Sequence, residues 1–425
     1  MPKETKSEIT RREFLTSTAA LGATALAASL TSTNFAFAAS TDTIRVGLIG
    51  CGGRGSGAAG NCLASSQNIE LVALGDLFED RVNGARDNLK GLGAGYKVTP
   101  DKCFTGFDAY KKVLAADVDM VILATPPGFR PIHLAAAIEA GKHVFMEKPV
   151  AVDPTGIRSV IASAQKAKQK GLGLVAGTQR RHQLGYVEVM KRVNDGAIGD
   201  IVSGQCYWNQ GGLWAHERGQ DETDVEWQIR NWLYFAWLSG DHIVEQHVHN
   251  LDVIQWAMKD VPPTRVVGMG GRQSRVQPVY GHIFDHFALD IEYPNGAHVM
   301  SMCRQIDGCE NNVSERIEGT KGGSNCGGSI WGETTYNAPG GGKDAYVQEH
   351  TDLIASIRSG QPLNEGERIA HSTMVAIMGR MSAYTGKAVT WDMAMNSKLD
   401  LMPKDLKFGP MAVAEVAVPG KTQFV

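Results

Sequence analysis

Gly50-Cys51-Gly52-Gly53-Arg54-Gly55 lies between two apolar runs, Ile44-Arg45-Val46-Gly47-Leu48-Ile49 and one that closes on Asp76. Few folds accommodate this order of buried strand, G-x-G-x-x-G turn, helix, and second strand with a carboxylate at its tip. Each part has a task in gripping a dinucleotide. Gly50 permits the tight turn, Gly52 lets backbone approach a pyrophosphate, and Gly55 lets helix and strand pack closely. With Gly53 and Arg54 completing the turn, the helix amino end offers free N–H groups and a partial positive charge to phosphates. Asp76 follows Gly55 by 21 residues (76 − 55), close to the spacing of the carboxylate that accepts ribose hydroxyls. A carboxylate there repels a 2′-phosphate, so NAD is expected over NADP, with Arg81 and Arg54 able to soften the bias.

The amino terminus speaks of place. Thr10-Arg11-Arg12-Glu13-Phe14-Leu15 is a twin-arginine pattern, followed by an alanine-rich apolar stretch and the small-residue sequence Ala36-Phe37-Ala38. The apolar stretch falls short of the roughly 20 residues that span a bilayer. Residues 1–39 are expected to be a signal peptide cleaved near Ala38, with the mature protein exported folded to the periplasm and free of membrane. Seven cysteines are scattered without metal-like spacing, and an odd number cannot all pair internally. Cys303 and Cys309 can bridge only if the loop between them folds back.

About 385 residues remain after cleavage, enough for two domains with sizeable cores. A net charge of −3 with no long basic or acidic block argues against nucleic acid or membrane surfaces as partners. Short apolar strands at 43–50, 69–76, 118–125, 143–147 and 172–177 alternate with helical stretches, which implies a parallel sheet covered on both faces. After residue 198, strand-like segments at 200–209, 263–272, 283–293 and 297–304 crowd together, with Pro294-Asn295-Gly296 as a hairpin turn. The expected fold is a Rossmann α/β domain over 40–180, then an α+β domain over 181–340 on an open, mainly antiparallel sheet. Helices within 341–425, at 344–358 and 366–386, return to the first domain, and the tail beyond 387 reads as an extended arm.

Thr125-Pro126-Pro127 ends the fourth strand, His133 opens the next helix, and Glu147-Lys148-Pro149 finishes the strand His143-Val144-Phe145-Met146. Ligands sit outside the carboxyl ends of such strands, and a charged pair ending a buried strand is costly unless it has a use. In this order the glycine turn, the T-P-P…H segment and the E-K-P triplet resemble the glucose–fructose oxidoreductase, inositol dehydrogenase and rhizopine-catabolism family (Gfo/Idh/MocA), over residues 43 to 390. The resemblance implies a dinucleotide domain followed by an open-sheet domain, and a homodimer or homotetramer formed through that sheet. It implies that Lys148 contacts substrate and cofactor and helps move a hydroxyl proton. It also places Gly177-Thr178-Gln179-Arg180-Arg181 near the nicotinamide, so that Thr125, Pro126, His133, Glu147, Lys148 and Gln179 join the cofactor site.

Residues 242–259 read as one helix. At about 100° per residue, Glu245, His249, Asp252 and Trp256 share one stripe, and a carboxylate beside an imidazole can tune a general base. The family's D-x-x-x-H on this helix corresponds to Glu245 and His249, so the resemblance implies His249 as acid/base. His247 adds a second imidazole, but ligands at i and i+2 point about 200° apart on a helix, so no metal is expected. Arg180, Tyr207, Asn209, Trp214, Asp252 and His286 complete the substrate candidates. Trp208, His216 and Arg218 belong to the same cleft-wall stretch, while Trp227, Trp232 and Trp237 read as core.

The expected activity is hydride transfer between a sugar CH–OH and NAD, with His249 taking the proton, Lys148 stabilising the alkoxide, and Glu245 orienting the imidazole. Outside the cytoplasm free NAD is scarce, so the cofactor must be retained and reoxidised in place. A second substrate can do this, as in exported glucose–fructose oxidoreductases. So can a glycosidase cycle of oxidation, elimination, hydration and reduction, as in the NAD-dependent glycosidases related to this family. A cofactor-retaining protein without turnover is the third reading.

Overall fold

A computed structural model describes residues 42–425; the twin-arginine segment and its expected cleavage site lie outside the described residues. Six parallel strands form the first sheet: β1 Ile44–Ile49, β2 Ile69–Asp76, β3 Cys103–Thr105, β4 Met120–Leu123, β5 His143–Met146 and β6 Leu174–Ala176. Their spatial order, β3-β2-β1-β4-β5-β6, puts the topological switch between β1 and β4, where the glycine turn and Thr125 emerge. The strands read as continuous apolar runs because both faces are covered. Leu48, Met120, Ile122 and Phe145 enter one core with Leu353 and Ile354. The alternate residues Ile49, Val121, Leu123, Val144 and Met146 enter the other, which runs on into the second domain.

The second sheet has nine strands. They are β7 Ile201–Gln210, β8 Arg265–Gly271, β9 His286–Glu292, β10 His298–Gln305, β11 Asn312–Gly319, β12 Gly322–Ser324, β13 Ser329–Gly332, β14 Tyr336–Asn337 and β15 Val389–Thr390, in the order β14-β13-β12-β11-β7-β10-β9-β8-β15. All pairs are antiparallel except β10 with β7. Strands β11 to β14 are additions to the sequence expectation. β12 to β14 are short and β11 is mostly polar, so no apolar alternation announced them.

Helices cover one face of this sheet. Gly366–Thr385 packs so closely on β8 and β9 that a Cβ on Gly379 would lie 2.5 Å from Leu289 Cδ1. Helix Ala345–Arg358 returns to the first domain as expected, where Thr351 Oγ1 donates to the Ser65 carbonyl (3.2 Å). The other face of the sheet is open. The expected extended arm is in part a strand and the short helix Trp391–Asn396, after which residues 397–425 have no regular structure but pack back on the body. All seven cysteines are free, with Cys303 buried and Cys309 exposed, so the possible bridge is not formed. Among the described residues no helix is long and apolar enough to cross a membrane.

His182 ties the returning segments together, with Nδ1 2.6 Å from Asp352 Oδ2 and Nε2 3.5 Å from Glu365 Oε1. Burial alone would lower its pKa, but the two carboxylates hold it up at about 9. A raised folded pKa stabilises the protein fully below the unfolded value near 6.5 and loses that stability as pH rises through about 9. Denaturant unfolding of the wild type should therefore weaken between these limits, by on the order of 2 kcal/mol. His182→Gln should be less stable at pH 6.5 and should lack that component of the slope; an unchanged pH profile in the variant would contradict the assignment.

Candidate active site

The glycine turn does what its spacing requires. Gly50 has φ 98°, and a Cβ there would meet the Ala124–Thr125 backbone at 2.5 Å. A Cβ on Gly55 would lie 1.8 Å from the Gly50 carbonyl oxygen. Gly52 and Gly53 differ: a Cβ on either meets nothing within 4 Å, because they face an open cleft of about 480 Å³. Asp76, Thr125, Pro126, His133 and Arg54 line the same cleft. Asp76 accepts from the backbone N–H groups of Cys51 (2.6 Å) and Phe78 (3.0 Å). Burial nevertheless pushes its pKa up, which favours a ligand that hydrogen-bonds to it. His133 is held by Thr125 Oγ1 (Nδ1, 3.1 Å) and stacks on Phe129. Burial drops its pKa to about 3, so it is a neutral wall residue. Open backbone at a helix amino end, with a carboxylate at the far end, fits a dinucleotide.

A second cavity, of about 360 Å³, adjoins the first and shares Arg54, Ala124, Thr125 and Trp232 with it. Glu147, Lys148, Gln179, Glu245 and His249 meet there. The expected single helix over 242–259 is in fact two, His242–Glu245 and Val248–Ala257. Asp241 causes part of this: at φ 74° it accepts from His242 N, Phe284 N and the Tyr384 hydroxyl, which fixes the first turn in place. At the break, His249 N–H turns to the Gln246 carbonyl (3.4 Å) and releases the carbonyl of Glu245. Lys148 Nζ takes it at 2.6 Å and the Glu245 carboxylate at 3.0 Å.

The sequence assigned Glu245 to the imidazole; the structure gives it to the lysine. The His249 ring is fixed instead by stacking on Trp208, centroids 5.6 Å apart at 23°. Burial, then Lys148, Arg180 and Arg54, hold its pKa well below the ordinary value. His249 is therefore a neutral imidazole, able to accept a proton. Arg54 crosses toward the same place: it donates to Glu147 (2.6 Å) and lies 4.9 Å from the Tyr346 ring. Beside it, burial and then Glu147 push the Glu349 carboxyl well up, opposed by Arg54 at 3.9 Å.

Several substrate candidates lie elsewhere. Tyr207 and Asn209 alternate with inward-facing Cys206 and Trp208, and so point to the open face of the sheet. His286 stands on that face too, paired with Asp285 (2.7 Å). Asp252 is buried against Arg181, Arg368 and Ser372, a structural cluster behind the site. Trp256 turns to Arg181 as well (4.9 Å). Arg180 pairs with Glu315 and lies 5.7 Å from the Trp208 ring, so it supports the wall without lining the cavity. Trp214 lines the dinucleotide cleft, not the second cavity.

Several lining residues escaped the sequence reading, Trp232 and Arg130 among them. Trp232, read as core, faces both cavities. Arg130, 2 % exposed, donates Nη2 to the Thr125 carbonyl and leaves Nε and Nη1 unpartnered beside the second cavity. An arginine in the first turn of helix Arg130–Glu139 opposes the helix dipole, and that misplacement was the available signal.

The glycines separate folding from binding. Gly55→Ala should fail to fold stably, because its Cβ has no room. Gly52→Ala, at φ −69° with space around it, should keep the wild-type thermal midpoint yet bind NAD about tenfold or more weakly by calorimetry. Equal affinity in Gly52→Ala would remove the pyrophosphate from this turn.

Residues 44–172 match the family model "Oxidoreductase family, NAD-binding Rossmann fold", and residues 186–324 match "GFO/IDH/MocA C-terminal domain". The chain is 28% identical over 179 residues to the 2,7-anhydro-N-acetylneuraminate hydratase of Escherichia coli, covering 42% of this chain and 44% of that one. It is 28% identical over 258 residues to inositol 2-dehydrogenase 3 of Saccharopolyspora erythraea, covering 60% and 65%. The chain thus spans less than two thirds of the length of these relatives. The crystal structure of aldose-aldose oxidoreductase from Caulobacter crescentus, complexed with glycerol, superposes with a TM-score of 0.64 over 82% of this chain and 99% of that one; at 18% identity it shares the fold. On the strength of the two family models, placed end to end across both sheets, the chain belongs to the Gfo/Idh/MocA oxidoreductases, whose first domain is an NAD-binding Rossmann fold.

Proposed function

We propose that the chain is an NAD-dependent oxidoreductase acting on the CH–OH of a carbohydrate or glycoside. The observation that carries this is the anchored Lys148 beside a neutral His249, in a cavity continuous with the dinucleotide cleft. Bound nicotinamide supplies a hydride acceptor for the carbinol carbon. The chain's residues do the rest. A lysine ammonium has three donors; Glu245 engages Lys148 twice, which leaves one N–H for the substrate oxygen. His249 Nε2 or Nδ1 accepts the hydroxyl proton as charge develops, and Lys148 stabilises the alkoxide. Trp208 and Trp232 offer aromatic faces to a sugar ring.

Two features favour a redox-neutral version, in which the hydride returns to the same or a second sugar. The dinucleotide cleft is walled on its outer side by Trp214, Ile229, Arg230 and Trp232, which opposes exchange. The twin-arginine pattern points to export to the periplasm, where NAD is scarce. The relatives support both outcomes on this scaffold, one being a dehydrogenase and one a hydratase. For the exported protein we also propose a homo-oligomer through the open sheet face. Met269 is exposed there by 74%, in register with Ala288, Met302 and Tyr207, and the exposed Val267 and Met300 lie in the next row on either side of Asp290. Such an apolar patch on a soluble surface marks an interface.

Lys148→Ala should lower kcat by about 100-fold or more on a panel of glycosides and free sugars, with a much smaller change in KM. Normal turnover in this variant would end the proposal. Release of aglycone without net NADH selects the redox-neutral cycle, whereas a keto-sugar with stoichiometric NADH selects the dehydrogenase. For the interface, Met269→Asp should shift the sedimentation coefficient toward the monomer, and an unchanged oligomer would place the interface elsewhere.

A further inference from the structure

The chain between β7 and the active-site helices does not stay with its own sheet. From Gly211 it crosses back to the Rossmann domain, where helix Asp224–Arg230 seats against the outer lip of the dinucleotide cleft. Arg230 makes the contact. Its guanidinium lies 3.8 Å from the Phe78 ring centroid and forks onto Asp80, with Nη2–Oδ1 at 3.1 Å and Nη1–Oδ2 at 3.2 Å. Glu226, one turn back, holds the guanidinium from its own helix at 3.2 Å. Phe78 and Arg230 both line the cleft, two residues beyond Asp76, at the end where the adenosine ribose belongs.

A second layer lies over the first. The Gly409 carbonyl accepts from Val225 N (3.2 Å), Met411 N donates to Asp224 Oδ2 (2.9 Å), and Gln228 Nε2 donates to the Met411 carbonyl (3.0 Å). Just before these bonded residues the Phe408 ring reaches Phe78 at 6.1 Å and Phe107 at 5.0 Å, and Phe107 is a cleft residue too. The root of this tail is fixed to the Rossmann domain. Leu401 N donates to Asp153 Oδ2 (2.8 Å), and Arg158 Nη1 holds the carbonyls of Met395 (2.9 Å) and Ser397 (2.8 Å). A segment without regular structure is thus bonded at both ends of Phe408, and Phe78 is held between an arginine and a phenylalanine from two distant parts of the chain.

We infer that helix Asp224–Arg230 and the C-terminal stretch Leu401–Met411 form a two-layer strap that makes NAD a retained prosthetic group, released only when Arg230 and Phe408 let go of the cleft lip. This rests on the NAD reading of the Rossmann cleft and goes beyond it, because an open crevice of the same chemistry would exchange its dinucleotide freely. The adenosine half is bounded by glycine turn and Asp76 on one side and by the strap on the other. Leaving therefore requires separating Arg230 from Phe78 and Asp80. Neither Asp80 nor Phe408 lines the cleft, so each can be altered without removing a contact to the dinucleotide. Asp80 is also well exposed at 60%, so its replacement disturbs no buried packing.

The test is cofactor exchange, read without any turnover. Full-length mature protein is purified with no added cofactor, its NAD released with acid and quantified, and exchange followed against an excess of isotopically labelled NAD. The wild type is expected to carry close to one NAD per chain and to exchange it slowly. Phe408→Ala and Asp80→Asn should each exchange about tenfold or more faster, and association to the stripped protein should quicken by a similar factor, because a gate slows both directions while a simple contact slows only departure. Wild-type exchange as fast as in both variants would overturn the strap, as would faster release with unchanged association. A stripped wild type that binds no NAD at millimolar concentration would overturn the cleft assignment as well, and so separates the two failures.

Discussion

The hydrogen bonds from Lys148 Nζ to the carbonyl and carboxylate of Glu245 are the point at which two domains become one site. Lys148 ends a strand of the parallel sheet; Glu245 ends a helical turn of the second domain. The carbonyl is available only because the helix breaks after it, and the break is secured by Asp241, a buried residue at positive φ with four bonds to its carboxylate. A continuous helix would have spent that carbonyl on His249. A buried ammonium without this partner would be costly, so the break and the lysine require one another. The second helix then starts at Val248 and delivers His249 to the same cavity with its ring against Trp208.

The site's electrostatics follow from that arrangement. Arg54, Arg130 and Lys148 converge on a small cavity, offset by Glu147 and Glu245, while His249 stays neutral. A cationic surround lowers the proton affinity of the imidazole but would favour an anionic oxygen placed beside it. The protein resolves this tension with geometry: each cation has a fixed partner, Glu147 for Arg54, Glu245 for Lys148, and the Thr125 carbonyl for Arg130. The positive field is thereby aimed into the cavity without the cations being free to collapse onto the imidazole.

Much of this was legible in the sequence, and the reasons differ by element. The Rossmann strands announced themselves because burial on both faces leaves no polar interruption, and the glycine turn because Gly50 and Gly55 tolerate no Cβ. Lys148 was legible as a charge at the end of a buried strand. The helix break was not: Glu245 to His249 carry no proline or glycine, and the cause lies in tertiary bonds to Asp241 from Phe284 and Tyr384. In β7 the failure was one of register, since strand residues alternate faces and a shift of one residue exchanges Trp208 for Tyr207 and Asn209. Every side chain from Gln205 to Gln210 is polar or aromatic, apart from Cys206, so no hydrophobic alternation fixed the phase. Asp252 shared the stripe of His249, but once the helix is placed that stripe divides, one end toward the cavity and the other toward Arg181.

The same division explains why long crossings matter here. The Rossmann crevice alone supplies one wall for a dinucleotide; Trp214, Ile229, Arg230 and Trp232 supply the facing wall from the other domain. Trp232 belongs to both cavities, so the residue that closes the nicotinamide end of one also shapes the substrate end of the other. A ligand seated against Trp232 in the second cavity therefore borders the dinucleotide cleft directly. One wall residue thus bounds both the dinucleotide cleft and the cavity that holds Lys148 and His249, so the two spaces are shaped together.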